Sequence, residues 1–252
     1  MLIHHEMQTM KRSIIITDLT RFKPGNPDLC TAGIDRETGE CIRPMPYLKF
    51  AKCMELGILP GGILSGEFTP LGSRTAPHTE DCQYEKLSFH GPCCGEEFRS
   101  VLAESCFPSV ETGFEVSLAI GEKVIPPDHK VQRSIITLQV DPRDIEIVEN
   151  SYKPGSIRLH FIDSVGRRHR YFPITDLGFF DYAQRHRDSS ALTALNIEIA
   201  KQKEIFLRIG LSRRYRSPQG KDGFWMQANG IYTFPKILSY IRSYTEPESN
   251  QT

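Results

Sequence analysis

The sequence lacks the features of membrane-embedded and exported proteins. No apolar run in the chain approaches the roughly 20 residues that a membrane-spanning helix needs. Near the N-terminus His4, His5 and Glu6 interrupt what would be the apolar core of a secretory signal. We therefore expect a cytoplasmic protein without a membrane partner, in which residues 1–11 and 246–252 form tails.

Common catalytic motifs are also missing. The chain contains no glycine-rich phosphate loop of the G-x-x-x-x-G-K-[ST] or G-x-G-x-x-G kind, no G-x-S-x-G and no H-E-x-x-H. These absences exclude nucleotide hydrolysis by a P-loop and argue against the common hydrolases. No cofactor and no catalytic residue is predicted, and whether the protein is an enzyme stays open.

The cysteines do not form a disulfide or zinc pattern. There are seven, an odd number, and all lie in the first half of the chain. This usage fits reduced thiols better than a disulfide framework. His78, Cys82, Cys93 and Cys94 are close in sequence, but a histidine followed by two adjacent cysteines is a poor spacing for tetrahedral zinc. No metal site is predicted.

Charge is balanced overall but not along the chain. Residues 1–126 hold 12 Lys and Arg against 17 Asp and Glu, whereas residues 127–252 hold 19 against 14, so the halves carry −5 and +5. A net charge of zero argues against indiscriminate binding to polyanions, and the basic second half indicates a local basic surface.

Short apolar or alternating runs, each ended by Gly, Pro, Asn or Asp, predict an all-β fold with a few short helices. The predicted strands are 13–19, 29–34, 41–45, 61–68, 134–142 and 144–149, and the predicted helices are 47–57, 95–107, 190–204 and 235–244. Bends at 35–40 and 163–167 predict hairpins. In the second hairpin, alternation assigns His169 and Tyr171 to the core and Arg158, Arg168 and Arg170 to solvent.

Basic and aromatic residues concentrate in residues 208–235, which hold four arginines, a lysine, the only tryptophan and four other aromatics. Alternation places Trp225, Gln227 and Asn229 on one face of a strand and Phe224 and Met226 on the other. Guanidinium groups bind phosphates, and exposed rings stack on bases, so the cluster favours single-stranded nucleic acid. The alternative is that the tryptophan belongs to the core.

A second hypothesis is a small-ligand or nucleotide pocket, in a sensor or an enzyme, built around the loop that holds His78, Glu80 and Asp81. Asp18 and Arg43 would complete it. A deep cleft that joins these groups would favour the pocket, whereas a shallow basic groove would favour nucleic acid. A third hypothesis is an adaptor that binds protein partners through an apolar patch.

Several motifs together resemble those of the dual OB-containing domain, a prokaryotic family with two consecutive OB folds. They are IIITDLTRF, TGECIRPM, HTED, LRIGLSR and WMQANGIYTFP, and they span most of the chain. The resemblance implies two five-stranded barrels and nucleic-acid binding, and it implies no catalytic residues. With Pro126 and Pro127 as the boundary, we predict OB-like barrels over residues 12–125 and 130–245, packed together.

The function predicted from the sequence is therefore non-catalytic binding of RNA or single-stranded DNA by the second barrel. The arginines are expected to hold phosphates, and the rings of Trp225 and Tyr232 to stack on bases. The amides of Gln227 and Asn229 are expected to bond base edges. The candidate residues are Arg21, Phe22, Arg213, Arg214, Tyr215, Arg216, Trp225, Gln227, Asn229 and Tyr232.

Overall fold

The computed structural model describes residues 9–22, 25–71, 76–151, 153, 156–185 and 189–238. Its fold is all-β with five short α-helices, as the sequence predicts. The helix predicted at 235–244 falls mostly outside these residues, as does the C-terminal tail. No helix in the described ranges is long and apolar enough to cross a membrane.

The first half forms a closed barrel. Its elements are β1 (Met10–Arg21), β2 (Asp28–Asp35), β3 (Cys41–Met45), β4 (Leu48–Lys49), α1 (Phe50–Leu56), β5 (Gly62–Pro70) and β6 (Asp81–Pro92). Strand β1 pairs with β2 and β5, β3 pairs with β2 and in parallel with β6, and β5 pairs with β6, which closes the ring. The five longer strands curl into a ring, and α1 lies between the third and the fourth of them, which makes an OB-like barrel.

The following segment crosses to the second barrel. It contains α2 (Gly95–Glu104), β7 (Cys106–Phe107), α3 (Val110–Phe114) and β8 (Val124–Ile125). Strand β7 pairs with Ile135–Val140 and β8 pairs with Asp222–Phe234, both of which belong to the second half. Strand pairing therefore connects the segment that holds β7 and β8 to the second half of the chain, and the boundary at the proline pair 126–127 stays a prediction.

The second half repeats this architecture. Its elements are β9 (Ile135–Val140), a 3-10 turn (Pro142–Asp144), β10 (Ile145–Glu149), β11 (Ile157–Ile162), β12 (Arg168–Pro173), α4 (Leu177–Arg185), α5 (Ser189–Ala200), β13 (Glu204–Leu211), β14 (Tyr215–Arg216) and β15 (Asp222–Phe234). One sheet joins β9, β13 and β15, and another joins β10, β11 and β12. A parallel bridge between Ile174 and Ala228 connects the two sheets, so the second half is also a curled, OB-like unit.

The barrels share a third core between them. Strand β1 is buried on both faces, because Ile14 and Ile16 face the inside of the first barrel while Ile15 packs against the second. Phe206 and Tyr232 meet Ile15 from the other side. This double burial explains the continuous apolar run at 13–19, and it makes the junction a packed interface.

Candidate functional site

A buried ion pair lies at the centre of the barrel junction. Nε of Arg208 on β13 donates to Oδ2 of Asp18 on β1 at 2.9 Å, and the hydroxyl of Thr17 donates to the same oxygen at 2.8 Å. Nη1 of Arg208 donates to the hydroxyl of Thr137 at 2.7 Å. Arg208 is 2% exposed and Asp18 0%. The pair joins β1 of the first barrel to β13 of the second.

A second set of charged groups lies nearby. Nε of Arg43 donates to Oδ1 of Asp81 at 2.6 Å, and Nη1 of Arg213 lies 2.8 Å from Oδ2 of the same carboxylate. Nε of Arg213 also donates to the hydroxyl of Tyr47 at 3.2 Å. Although burial acts in the opposite direction, the hydrogen bonds from the two arginines lower the pKa of Asp81. Asp81 is therefore an ionised structural partner.

His78 and Glu80 complete this region. The guanidinium of Arg43 can only donate hydrogen bonds, so Nη2 of Arg43 donates to Nδ1 of His78 at 3.0 Å. Burial, and then the guanidinium groups of Arg43 and Arg213, lower the pKa of His78 to about 3, so the ring is neutral at physiological pH. Glu80 accepts from the backbone N–H and the hydroxyl of Ser134. The five residues of the pocket hypothesis thus lie at the junction, engaged in contacts that hold the barrels together.

The predicted arginines differ in their surroundings. Arg213 is tied to Asp81, as described. Arg214 makes a bidentate ion pair with Asp222, through Nε at 3.1 Å and Nη2 at 2.7 Å, but its side chain is 61% exposed. The structure places no acidic oxygen of a described residue within ion-pairing distance of Arg216. Arg213 is therefore a junction residue, whereas Arg214 and Arg216 remain available to solvent.

The predicted aromatic and amide residues also differ in how deeply their side chains are buried. Trp225 is half-buried, with Nε1 donating to the carbonyl of Tyr215 at 3.0 Å, and the exposed ring of Tyr215 packs edge-on against it. Gln227 is also half-buried. Tyr232, by contrast, is fully buried and donates to the carbonyl of Thr17 at 2.6 Å. The expectation that Tyr232 stacks on a base is therefore wrong.

Asn229 is likewise not on the surface. Arg208 pairs with Gly230 and Ile209 pairs with Ala228, which leaves Asn229 as the extra residue of a β-bulge. Its side chain turns onto Gly210, and Oδ1 accepts from the hydroxyl of Thr175 at 3.0 Å. The alternation that predicts an outward amide fails at this register shift.

Arg21 and Phe22 lie at the end of β1. The guanidinium of Arg21 stacks on the ring of Phe180, with 2.8 Å between its carbon and the ring centroid. Burial lowers the pKa of Arg21 to about 10. The ring of Phe22 packs 4.9 Å from that of Tyr47, which in turn contacts Arg213. These residues pack at the junction rather than on an open groove.

A basic surface that the sequence indicates only in part lies on β11 and β12. Arg168 and Arg170 are exposed, and the structure places no acidic partner within ion-pairing distance of either in the described ranges. They line a groove of about 250 Å³ whose other charged residues are Arg143, Asp144 and Glu146, and Nδ1 of His160 in the same groove lies 3.7 Å from a carboxylate oxygen of Glu146. The ring of Tyr171 packs edge-on against His160 at 4.6 Å.

A β-bulge creates this surface. Leu159 pairs with Phe172 and Phe161 pairs with His169. Two residues of β12, Arg170 and Tyr171, therefore lie opposite a single residue of β11, His160. Tyr171 consequently has a φ of 55° and is 38% exposed, and Phe172 replaces it in the core. The prediction that Tyr171 is buried is wrong for this reason. Nζ of Lys123 binds the carbonyls of both bulge residues, at 3.1 and 3.3 Å.

The surface continues to Trp225. Strand β8 pairs Val124 with Trp225, which brings Lys123 beside the tryptophan strand. Lys221 contacts the neighbouring Glu122 at 2.6 Å.

We define the β11–β12 face by its members: Lys123, Arg158, His160, Arg168, Arg170 and Tyr171. Bulge geometry is the signal that sequence reasoning missed, because a register shift has no reliable local motif.

No model of a protein family matches the chain, and no curated protein and no solved structure matches it either. The resemblance to the dual OB-containing domain therefore stays a prediction. None of the seven cysteines forms a disulfide bond. In the parts of the chain that the structure describes, no three histidine, cysteine or acidic side chains are grouped to hold a metal ion.

Proposed function

We propose that the protein binds single-stranded nucleic acid, either RNA or DNA, through the β11–β12 face. The observation that carries the proposal is the β-bulge, which presents Arg170 and Tyr171 side by side next to Arg168. Bulges commonly re-aim side chains at functional sites. Two arginines without acidic partners can bind phosphates without first breaking an ion pair.

The position of this face in the barrel supports the proposal. OB folds bind oligonucleotides on the face of their second and third strands and on the adjoining loops. In the second barrel β9 and β10 are joined by the 3-10 turn and together take the place of the first strand, so the second and third strands are β11 and β12. The short strand β14, which precedes β15, carries Tyr215 and Arg216. A base would stack on Tyr171 while Arg168 and Arg170 hold the backbone, and stacking on a side chain requires an unpaired base.

A salt titration of oligonucleotide binding tests the proposal. Fluorescence anisotropy with 12-nucleotide single strands is measured from low to moderate salt for the wild type and for Arg168→Ala/Arg170→Ala. If both arginines contact phosphates, the slope of log K against log salt falls by about 1.4, at about 0.7 per contact for single strands. The control is Lys49→Ala/Lys52→Ala, which removes two exposed cations from the first barrel. Undetectable wild-type binding at low salt, or equal slopes in the two double variants, would contradict the proposal.

The adaptor hypothesis receives less support. Ile120 is 99% exposed and Val165 61%, but both are at turns, and no exposed Phe is found among the described residues. Single exposed apolar side chains are common on protein surfaces.

A further inference from the structure

A cavity of about 690 Å³ lies between the two barrels, and nothing in the proposed function uses it. We call it the junction cavity. Its buried end is lined by Thr137 and Arg208 of the second barrel, and Phe68 and Ile42 of the first barrel line it from the other side. Glu40 and Gln132 are exposed and stand at its mouth. Small-molecule sites have volumes of about 300 to 1,000 Å³ and are frequent at domain interfaces.

The buried end offers a donor beside hydroxyl groups. Nη1 of Arg208 donates to Oγ1 of Thr137 at 2.7 Å, and Oγ of Ser105 lies 2.6 Å from that hydroxyl. An Nη nitrogen carries two N–H groups. Among the described residues, Thr137 is the acceptor for Nη1 of Arg208. The second N–H of Nη1 is therefore available to a ligand. A ligand that presents both an acceptor and a donor at one edge complements this arrangement.

The charge of the cavity favours an uncharged ligand. The ionisable residues other than cysteine in its lining are Arg12, Arg133, Arg208, Glu40, Glu80 and Glu104. Three cations and three carboxylates cancel. A phosphate or carboxylate would find no excess of positive charge. A purely apolar ligand would leave the second N–H of Arg208 Nη1 without an acceptor at the buried end, which is unfavourable.

The walls favour a flat ring. Phe68 and Phe107 contribute aromatic rings to the lining, and Ile42 and Ile135 contribute aliphatic surface. Thiols also line the cavity, but burial raises the pKa of Cys41 to about 12 and that of Cys106 to about 11. These thiols are protonated and are weak nucleophiles at neutral pH. The cavity is therefore suited to binding and not to thiol chemistry.

We propose that the junction cavity binds an uncharged molecule of nucleoside size, whose heteroaromatic ring lies between the apolar walls and whose hydrogen-bonding edge meets Arg208 and Thr137. A nucleobase combines a planar apolar face with donors and acceptors at its edge. The site is separate from the β11–β12 face and does not depend on nucleic-acid binding.

Isothermal titration calorimetry with adenosine, guanosine, cytidine and uridine, each beside its 5′-monophosphate, tests this inference. At least one nucleoside is expected to bind the wild type, and its monophosphate to bind more weakly. Glu40→Trp, which places a large ring at the exposed mouth, is expected to weaken binding at least tenfold. Glu85→Trp, at an exposed position on β6, is the matched control and is expected to bind as the wild type does.

Three results would overturn the inference. They are the absence of binding by all four nucleosides, tighter binding of the monophosphate, and equal affinities of Glu40→Trp and Glu85→Trp for the bound nucleoside. Circular dichroism and thermal unfolding of both variants establish that they are folded. A nucleoside that binds but is not displaced by a single-stranded oligonucleotide would also show that the two sites are distinct.

Discussion

Arg208 donates its Nε to Oδ2 of Asp18 across the barrel junction, at 2.9 Å and over a sequence separation of 190 residues. Both side chains are almost completely buried. A buried ion pair contributes little net stability compared with apolar packing, but removal of one partner leaves an isolated charge. The pair is therefore expected to enforce one arrangement of the barrels.

Arg208→Met is expected to lower the free energy of unfolding by about 3 to 5 kcal/mol, since Asp18 would remain buried without its cation. Urea unfolding followed by circular dichroism measures the change. The double variant Asp18→Leu/Arg208→Met is expected to be more stable than Arg208→Met alone. As a control, Arg214→Ala removes an exposed ion pair and is expected to have little effect. A small loss for Arg208→Met would show that the junction tolerates an unpaired carboxylate.

His78 is expected to make stability dependent on pH between about 6.5 and 3. Its pKa falls from 6.5 to about 3 in the folded protein, so the unfolded state binds a proton more readily in this interval. The contribution is complete above pH 6.5 and is lost as the pH falls. Between pH 6.5 and 4.5 it amounts to about 2 kcal/mol.

Urea unfolding at several pH values measures this dependence in the wild type and in His78→Gln. The pKa values of His160 and His169 are also lowered, mainly by burial, so the wild-type slope contains their contributions as well. The difference in slope between the two proteins isolates His78. Parallel slopes would mean that the pKa of His78 is the same in the folded and unfolded states, which contradicts the prediction.

The side chain of Tyr171 is expected to lower the stability of the folded protein and to increase its affinity for single strands. A φ of 55° is unfavourable for a bulky residue, and asparagine tolerates it better. Tyr171→Asn is therefore expected to retain the wild-type stability or to increase it slightly, while affinity for single strands falls about tenfold or more through the lost stacking. Tyr171→Phe keeps the ring and should bind as the wild type does. Anisotropy and thermal unfolding are measured on the same samples.

Gly223 is expected to tolerate no side chain. Its φ is 153°, and a Cβ at this position would overlap the backbone carbonyl oxygen of Ile125 on β8. Gly223→Ala should lower the free energy of unfolding by about 2 kcal/mol, because backbone must move. Gly95→Ala is the control, since a Cβ there meets no atom within 4 Å. Equal stabilities of the two variants would show that β8 is not firmly held against β15.

Much of the fold follows from local sequence. Alternation and the placement of glycine and proline predict β1, β2, β3 and β5 near their observed positions, together with the hairpins at 35–40 and 163–167. The sequence pattern does not predict strand β6, because half of its residues are exposed and it has no continuous apolar or alternating run. The outward arginines of β12 also follow from the pattern, since Arg168 and His169 precede the register shift.

The sequence by itself thus determined the all-β class, several of the strands, the two hairpins and the basic character of the second half, because these depend on neighbouring residues. Only the tertiary structure decided which arginine side chains form ion pairs across the barrel junction. Arg213 meets Asp81, and Tyr232 reaches the carbonyl of Thr17, through contacts between distant segments. The bulges at Tyr171 and Asn229 likewise depend on strand pairing, and a shift of one residue moves a side chain to the opposite face.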